Sequence, residues 1–405
     1  MMSNTILIDL DHGEIPEVIS NQNLIDIKKN GRIVVKNSCL EGIDTLKEED
    51  LRYILENFKC YLSDVVTSEY IPSIETMKIL FELAPEFKVR FKTEKKGADK
   101  IIPISSEEFF EGEKIFLEIL NGMNPNWSEL QKYKYLYNKN SQMLSYDLNI
   151  TEYSEYSRMH ERYSRNIFTA MAKNLGVCAS FAAGYDYLCY RAGLESMVLS
   201  EESHDYVTIE PVGLENLLTD STADATRLKF GMKSKSFAIP KEQFIEDGHH
   251  LEVTEAWDYE FDFLNEDQIK ELDIETGYLD EFGGEYQDEF IESLGNNLEG
   301  MNNFEKMIEF LERIKNIKSV GRPSTCDFEM ILHLILKESK DKEFVDGIKV
   351  YSYVSENIPE LPRQVVVEVH ENNLSDKIKY FVLKNGLESY EEVDEITDSI
   401  EYKSR

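Results

Sequence analysis

Leu175-Gly-Val-Cys-Ala-Ser-Phe-Ala-Ala-Gly-Tyr-Asp-Tyr-Leu-Cys-Tyr-Arg-Ala-Gly193 is the stretch on which the fold turns. Residues 178 to 192 have helical periodicity, with Cys178, Ala182, Tyr185, Cys189 and Ala192 on one face. Arg191 in the last turn and Gly193 just beyond it make a C-terminal stop, and Gly176 permits a tight lead-in. The spacing therefore predicts a helix whose first turn holds Cys178. In that turn the N–H groups lack intrahelical partners and the positive end of the dipole is close, so a thiolate is favoured. Taken alone, a cysteine is more often a small buried hydrophobe. Cys189, three turns on with no terminus beside it, is read that way.

Two strand-like runs follow, Glu195-Ser-Met-Val-Leu-Ser200 and His204-Asp-Tyr-Val-Thr-Ile-Glu210. Pro211-Val-Gly213 makes a turn, and Leu214-Glu-Asn-Leu-Leu-Thr-Asp-Ser-Thr222 runs back. A turn centred near Val212 sets position i opposite 424 − i and places His204 opposite Asp220. Directly opposed residues have Cβ atoms about 4.5–5.5 Å apart, close enough for a carboxylate to accept the imidazole N–H. Such a carboxylate fixes the tautomer of a base and stabilises the imidazolium as a cysteine loses its proton. Taken alone, the two residues read more readily as an exposed histidine and a strand-end aspartate; the closing register is what joins them.

Together, Gly176-Val-Cys-Ala-Ser-Phe-Ala, Arg191-Ala-Gly-Leu194, Ser203-His-Asp-Tyr-Val-Thr-Ile and Leu218-Thr-Asp-Ser-Thr222 resemble the core of the bacterial transglutaminase-like superfamily. Cys178, His204, Asp220 and Thr222 match that family's positions one by one, closely over about 50 residues and loosely over about 130. The resemblance implies a papain-like α+β core, with a cysteine at a helix N-terminus packed on an antiparallel sheet. It also implies a Cys-His-Asp triad and thiol chemistry on amides: proteolysis, deamidation or transamidation of a protein or peptide substrate, with no metal or organic cofactor. The family usually has His-Ala-Trp where this chain reads His204-Asp-Tyr, and an aromatic residue where it has Ala223-Asp224. Asp205 beside the histidine favours hydrolysis over crosslinking, because transamidation needs an apolar tunnel that holds water off. Some members of the superfamily have lost catalysis, so an interaction module is the alternative, as is an exported effector that modifies a host protein.

The rest of the chain sets the frame. At 405 residues it suits two or three domains. The composition shifts predict an N-terminal α+β region at 1–122, the transglutaminase-like catalytic domain at 123–262, and an acidic connector with a C-terminal α+β module at 263–405. Gly97 and the turn-rich Asn121-Gly-Met-Asn-Pro-Asn126 are candidate boundaries. Helical patterns fall at Glu48–Phe58, Ile74–Leu83 and Phe304–Ile317, and strand-like runs at 349–354, 364–369 and 379–383. The segment 257–292, dense in acids and aromatics, lacks the spacing of a calcium loop and reads as a solvated connector.

A net charge of −34 repels phosphates and anionic lipid, so neither nucleic acid nor membrane is an expected partner. No secretory signal or membrane-length apolar run is present, and five scattered cysteines favour a reducing compartment. The expectation is a cytoplasmic protein; signal-independent export is compatible with the same sequence. His160, His249 and His250 read as surface residues, and neither a phosphate loop nor a Gly-x-Ser-x-Gly elbow occurs.

Overall fold

The computed structural model describes residues 5–9, 17–18, 32–36, 40–68, 72–91, 103–148, 166–200, 204–246, 260–353, 364–372, 377–384 and 389–393. Cys39, Gly97, His160, His249 and His250 lie outside them. The chain is α+β and divides into two compact units, Met1–Lys114 and Ile115–Arg405. Residues of both the 123–262 and 263–405 segments belong to the second unit.

In the first unit, β1 (Thr5–Asp9) pairs antiparallel with β2 (Glu17–Val18) and β3 (Arg32–Lys36). Helix α1 (Glu48–Phe58) buries Leu51, Ile54, Leu55 and Phe58 on one stripe. Strands β4 (Val65–Ser68) and β5 (Lys88–Phe91) are parallel, and parallel neighbours need a crossover. Helix α2 (Ile74–Leu83) supplies it, starting where Ser73 Oγ accepts the Thr76 N–H at 3.0 Å. The division between units falls within α3 (Ser106–Gly122).

The second unit is built around α4 (Glu129–Met143), which opens on a Ser128/Gln131 capping box. Nine of its residues are buried, from Tyr133 to Gln142, so it is enclosed rather than amphipathic. Helix α5 (Ile167–Lys173) packs on α6 (Cys178–Arg191), and the polar side chains of α4 tie it to α6, α7 (Ser221–Lys229) and α9 (Glu266–Glu275). Asn140 Nδ2 donates to Phe181 O at 3.0 Å, Ser141 Oγ to Ser221 O at 3.1 Å, and Asn138 Nδ2 to Asp273 Oδ1 at 3.1 Å.

Strands β6 (Ser196–Ser200), β7 (Asp205–Ile209) and β8 (Leu217–Thr219) form an antiparallel sheet in that order, with α6 against β6 and β7. The β7–β8 register differs from the one read in the sequence. Observed pairs follow i with 426 − i, as in Val207↔Thr219, not 424 − i. The connection is longer than a turn centred on Val212 allows. Gly213 and Asn216 both take positive φ, and Glu215 and Asn216 are held by Asp262 Oδ2 and Glu260 O. The returning run also ends early: Asp220 leaves the strand and caps α7.

The acidic stretch expected as a solvated connector is largely helical and packed. Helix α8 (Lys241–Glu246) lies before it, and within residues 260–293 α9 and α10 (Asp288–Ser293) form while Ile269, Leu272, Tyr278, Leu279, Phe282 and Ile291 are buried. Tyr278 also donates to Leu228 O at 2.9 Å. Periodic apolar residues outweigh the acids, most of which occupy the other faces, while Asp273 is buried against α4. Farther on, α11 (Asn303–Ile314), α12 (Thr325–Glu338) and α13 (Lys342–Asp346) precede β9 (Ile348–Tyr353), β10 (Gln364–His370), β11 (Ile378–Lys384) and β12 (Ser389–Val393). These strands form an antiparallel sheet, and Val365, Val367, Val369, Phe381 and Leu383 share one core with Phe310, Leu311, Ile331 and Ile335. Among the described residues no helix is long and apolar enough to cross a membrane.

Candidate active site

Cys178 is the first residue of α6, behind an N-cap, Val177, that offers no side-chain cap. The first intrahelical bonds run from Ser180 N and Phe181 N to Val177 O, at 2.8 and 3.1 Å. The Cys178 and Ala179 N–H groups precede them, at the positive end of a fourteen-residue helix. The lead-in is fixed by Gly176, whose N–H donates to Ser145 O and whose carbonyl accepts Asp147 N–H, each at 2.9 Å. A Cβ on Gly176 would lie 3.1 Å from Ser180 Cβ, so close approach rather than a special φ requires glycine here. At the far end, Gly193 takes φ 72°, with Gly193 N bonded to Tyr190 O and Leu194 N to Cys189 O, a Schellman stop.

His204 immediately precedes β7, with its side chain 24% exposed. Its Nε2 lies 2.9 Å from Asp220 Oδ2, and the Cys178 thiol is close enough to interact with the imidazole. Burial by itself would lower the pKa of this histidine. The hydrogen bonds and charges of Asp220 and Cys178 override it and hold the imidazolium up to about 10. The ring stacks on Tyr206, centroids 6.4 Å apart and planes 25° from parallel.

Asp220 is buried, and both its oxygens are engaged. Oδ2 meets His204, while Oδ1 accepts Thr222 N at 2.9 Å and Ala223 N at 3.3 Å as the N-cap of α7. Continued past the strand ends, the observed register sets Asp220 opposite Tyr206, not His204. A displacement of two residues keeps side chains on the same face, so His204 and Asp220 meet as diagonal neighbours. The structure thus brings Cys178, His204 and Asp220 together, by a geometry other than direct opposition.

Asp224, met in the sequence only as a departure from the family pattern, is completely buried one turn along α7. It accepts from Tyr137 OH, Ser234 Oγ, Lys235 N and Ser236 N at 2.7 to 2.9 Å. Tyr137 OH also reaches Asp220 O at 2.8 Å. Nothing in the local sequence marks Tyr137. An aspartate ahead of Ser-Thr-Ala-Asp-Ala-Thr is, however, a legible N-cap signal for α7. Of the other described thiols, Cys60 is exposed, whereas Cys189 and Cys326 are buried, and burial pushes Cys189 up. Among the described residues no three His, Cys, Asp or Glu side chains gather to hold a metal ion.

Compared with known proteins, the chain matches no family model and no curated protein.

Proposed function

We propose that the chain is a cysteine hydrolase of protein or peptide amides with a transglutaminase-like, papain-like core. One observation carries the reading: a histidine that bonds a buried carboxylate and interacts with a cysteine at a helix N-terminus. With Nε2 committed to Asp220, Nδ1 is the nitrogen that exchanges a proton with Cys178. The Cys178 thiolate attacks the amide carbon, and the oxyanion is met by the Cys178 backbone N–H. The His204 imidazolium gives its proton to the leaving amine as the C–N bond breaks. Neutral His204 then takes a proton from water, whose oxygen attacks the thioester and releases a carboxylic acid and the thiol. Asp220 keeps the imidazole oriented through both half-reactions.

Hydrolysis is favoured over amine transfer because Asp205, not an apolar residue, follows the histidine. The test offers glutamine- and peptide-containing substrates with excess primary amine to the chain and to its Cys178→Ala variant. Cys178-dependent release of acid product is the expected result. Amine adducts in excess would overturn the hydrolytic assignment alone. No turnover with an unreactive Cys178 would leave the domain an interaction module.

A further inference from the structure

The strongest feature outside the three site residues is the network behind Asp220. Its side chain is held at both oxygens, and its backbone is held at both ends as well. Asp220 N–H donates to Ser236 O at 2.7 Å, and Asp220 O accepts Tyr137 OH at 2.8 Å. These anchors are themselves joined through Asp224, whose Oδ2 accepts Tyr137 OH at 2.7 Å and Ser236 N–H at 2.9 Å. Ser234 Oγ and Lys235 N–H close the shell at 2.7 and 2.8 Å. The path therefore forms a ring: Asp220, Tyr137, Asp224, Ser236 and back to Asp220.

We propose that Asp224 and Tyr137 are positioning residues that hold the Asp220 carboxylate against His204, a role that rests on the hydrolase reading above. Four donors, two of them in fully buried bonds, converge on Asp224, while among the described residues no cation bonds it, an arrangement that costs more than an apolar core would. As a device for α7 alone it is redundant, since Asp220 Oδ1 already caps that helix. What the ring adds is a fixed backbone at residue 220. A carboxylate aimed at an imidazole loses effect with small displacements, and Asp220 stands at a strand-to-helix junction where the backbone is otherwise free to turn. Tyr137 comes from α4 and the 234–236 segment follows α7, so the ring fixes the junction from two elements.

The test uses the whole chain and reads Cys178 by iodoacetamide labelling with site mapping across pH, which needs no knowledge of the substrate. Tyr137→Phe removes one hydroxyl and keeps the ring's shape. Its labelling rate at pH 6 is expected to fall about tenfold, as for loss of roughly one strong hydrogen bond, with the pH profile displaced to higher pH. Ser234→Ala, a milder change at the edge of the ring, is expected to fall about threefold and serves if Tyr137→Phe does not fold. Phe310→Leu, in the C-terminal core, destabilises the chain without touching the ring and should label as the parent does. Parent-like labelling by Tyr137→Phe or, where that does not fold, by Ser234→Ala overturns the positioning role. So does an equal loss in Phe310→Leu, which would make the effect general destabilisation. A separate arm, His204→Ala, tests the underlying reading. If that variant labels like the parent at pH 6, the thiol does not depend on the histidine and both inferences fall.

Discussion

Asp220 performs two tasks with two oxygens, and substitutions can part them. Asp220→Asn retains an oxygen for the Thr222 and Ala223 N–H groups but presents an amide to His204, so the imidazole loses its acceptor. It should keep the cap of α7, lose only the stability that the charged His204 pairing contributes, and on the proposed mechanism lose about 10²–10⁴-fold in amide hydrolysis. Asp220→Ala loses the cap as well, which costs about 1–2 kcal/mol; urea titration beside a rate assay distinguishes the two. Equal stability losses would mean that Oδ1 does not cap α7. His204 gives a pH dependence whose sign is fixed by its direction. Its folded pKa, about 10, stands above the ordinary 6.5. Its contribution to stability is therefore complete below about pH 6.5 and is lost as pH rises through about 10. The stability gap between the parent and His204→Gln should be wide at pH 6 and narrow at pH 10.5 by urea unfolding; a gap that widened with pH would refute the imidazolium assignment. On the proposed mechanism the same proton would set an alkaline limit near pH 10 for acylation, since the leaving amine then finds no donor.

At the scale of elements, what could be read in the sequence follows from the range of the forces involved. The helix from Cys178 was legible because its period, its stop at Gly193 and its glycine lead-in all lie within twenty residues. Helices at Glu48–Phe58 and Ile74–Leu83 and the runs that became β9, β10 and β11 were legible for the same local reason. The β7–β8 register was not, because it depends on Asn216 and Glu215 being held by residues 260–262, more than forty positions away. Parity survived the error because the displacement was two residues, so His204 and Asp220 still share a face. Ser389–Val393, with Glu391 and Glu392 side by side, gave no alternating apolar signal and was missed as a strand. The α4–α6 packing shows another long-range constraint. A Cβ on Gly184 would come within 2.9 Å of Asn140 Oδ1, which is closer than the contact tolerates. Gly184→Ala should push α6 off α4 and cost about 1–3 kcal/mol by overpacking, even though alanine is the better helix former. A Gly184→Ala chain with a raised melting temperature would show that α4 yields instead.

For the second unit as a whole, the C-terminal segment is joined to the helix that Asp220 caps by a buried ion pair. Lys229, in the last turn of α7, lies 3.1 Å from Asp327 in the first turn of α12, and both side chains are fully enclosed. Asp327 also accepts Thr226 Oγ1 at 3.1 Å and Ser324 N at 2.8 Å, while Lys229 donates to Ser145 Oγ at 2.9 Å and to Leu144 O. Burial pulls the Lys229 ammonium below its ordinary pKa against the opposing pull of Asp327. This join was invisible in the sequence, where a lysine and an aspartate 98 positions apart read as two surface charges among many. The energetics make a directional prediction. Asp327→Ala leaves an ammonium in a dry interior and should cost about 3–5 kcal/mol. Replacing both partners, as in Lys229→Met with Asp327→Leu, removes the orphaned charge along with the attraction. It should recover a good part of that loss, although Thr226, Ser145 and Ser324 then keep unpaired groups that cost about 1–3 kcal/mol. Thermal and urea unfolding of both single variants and the double form the cycle. A double variant no more stable than Asp327→Ala would mean that the hydrogen-bonded network around the pair, and not the charge left behind, holds α7 to α12.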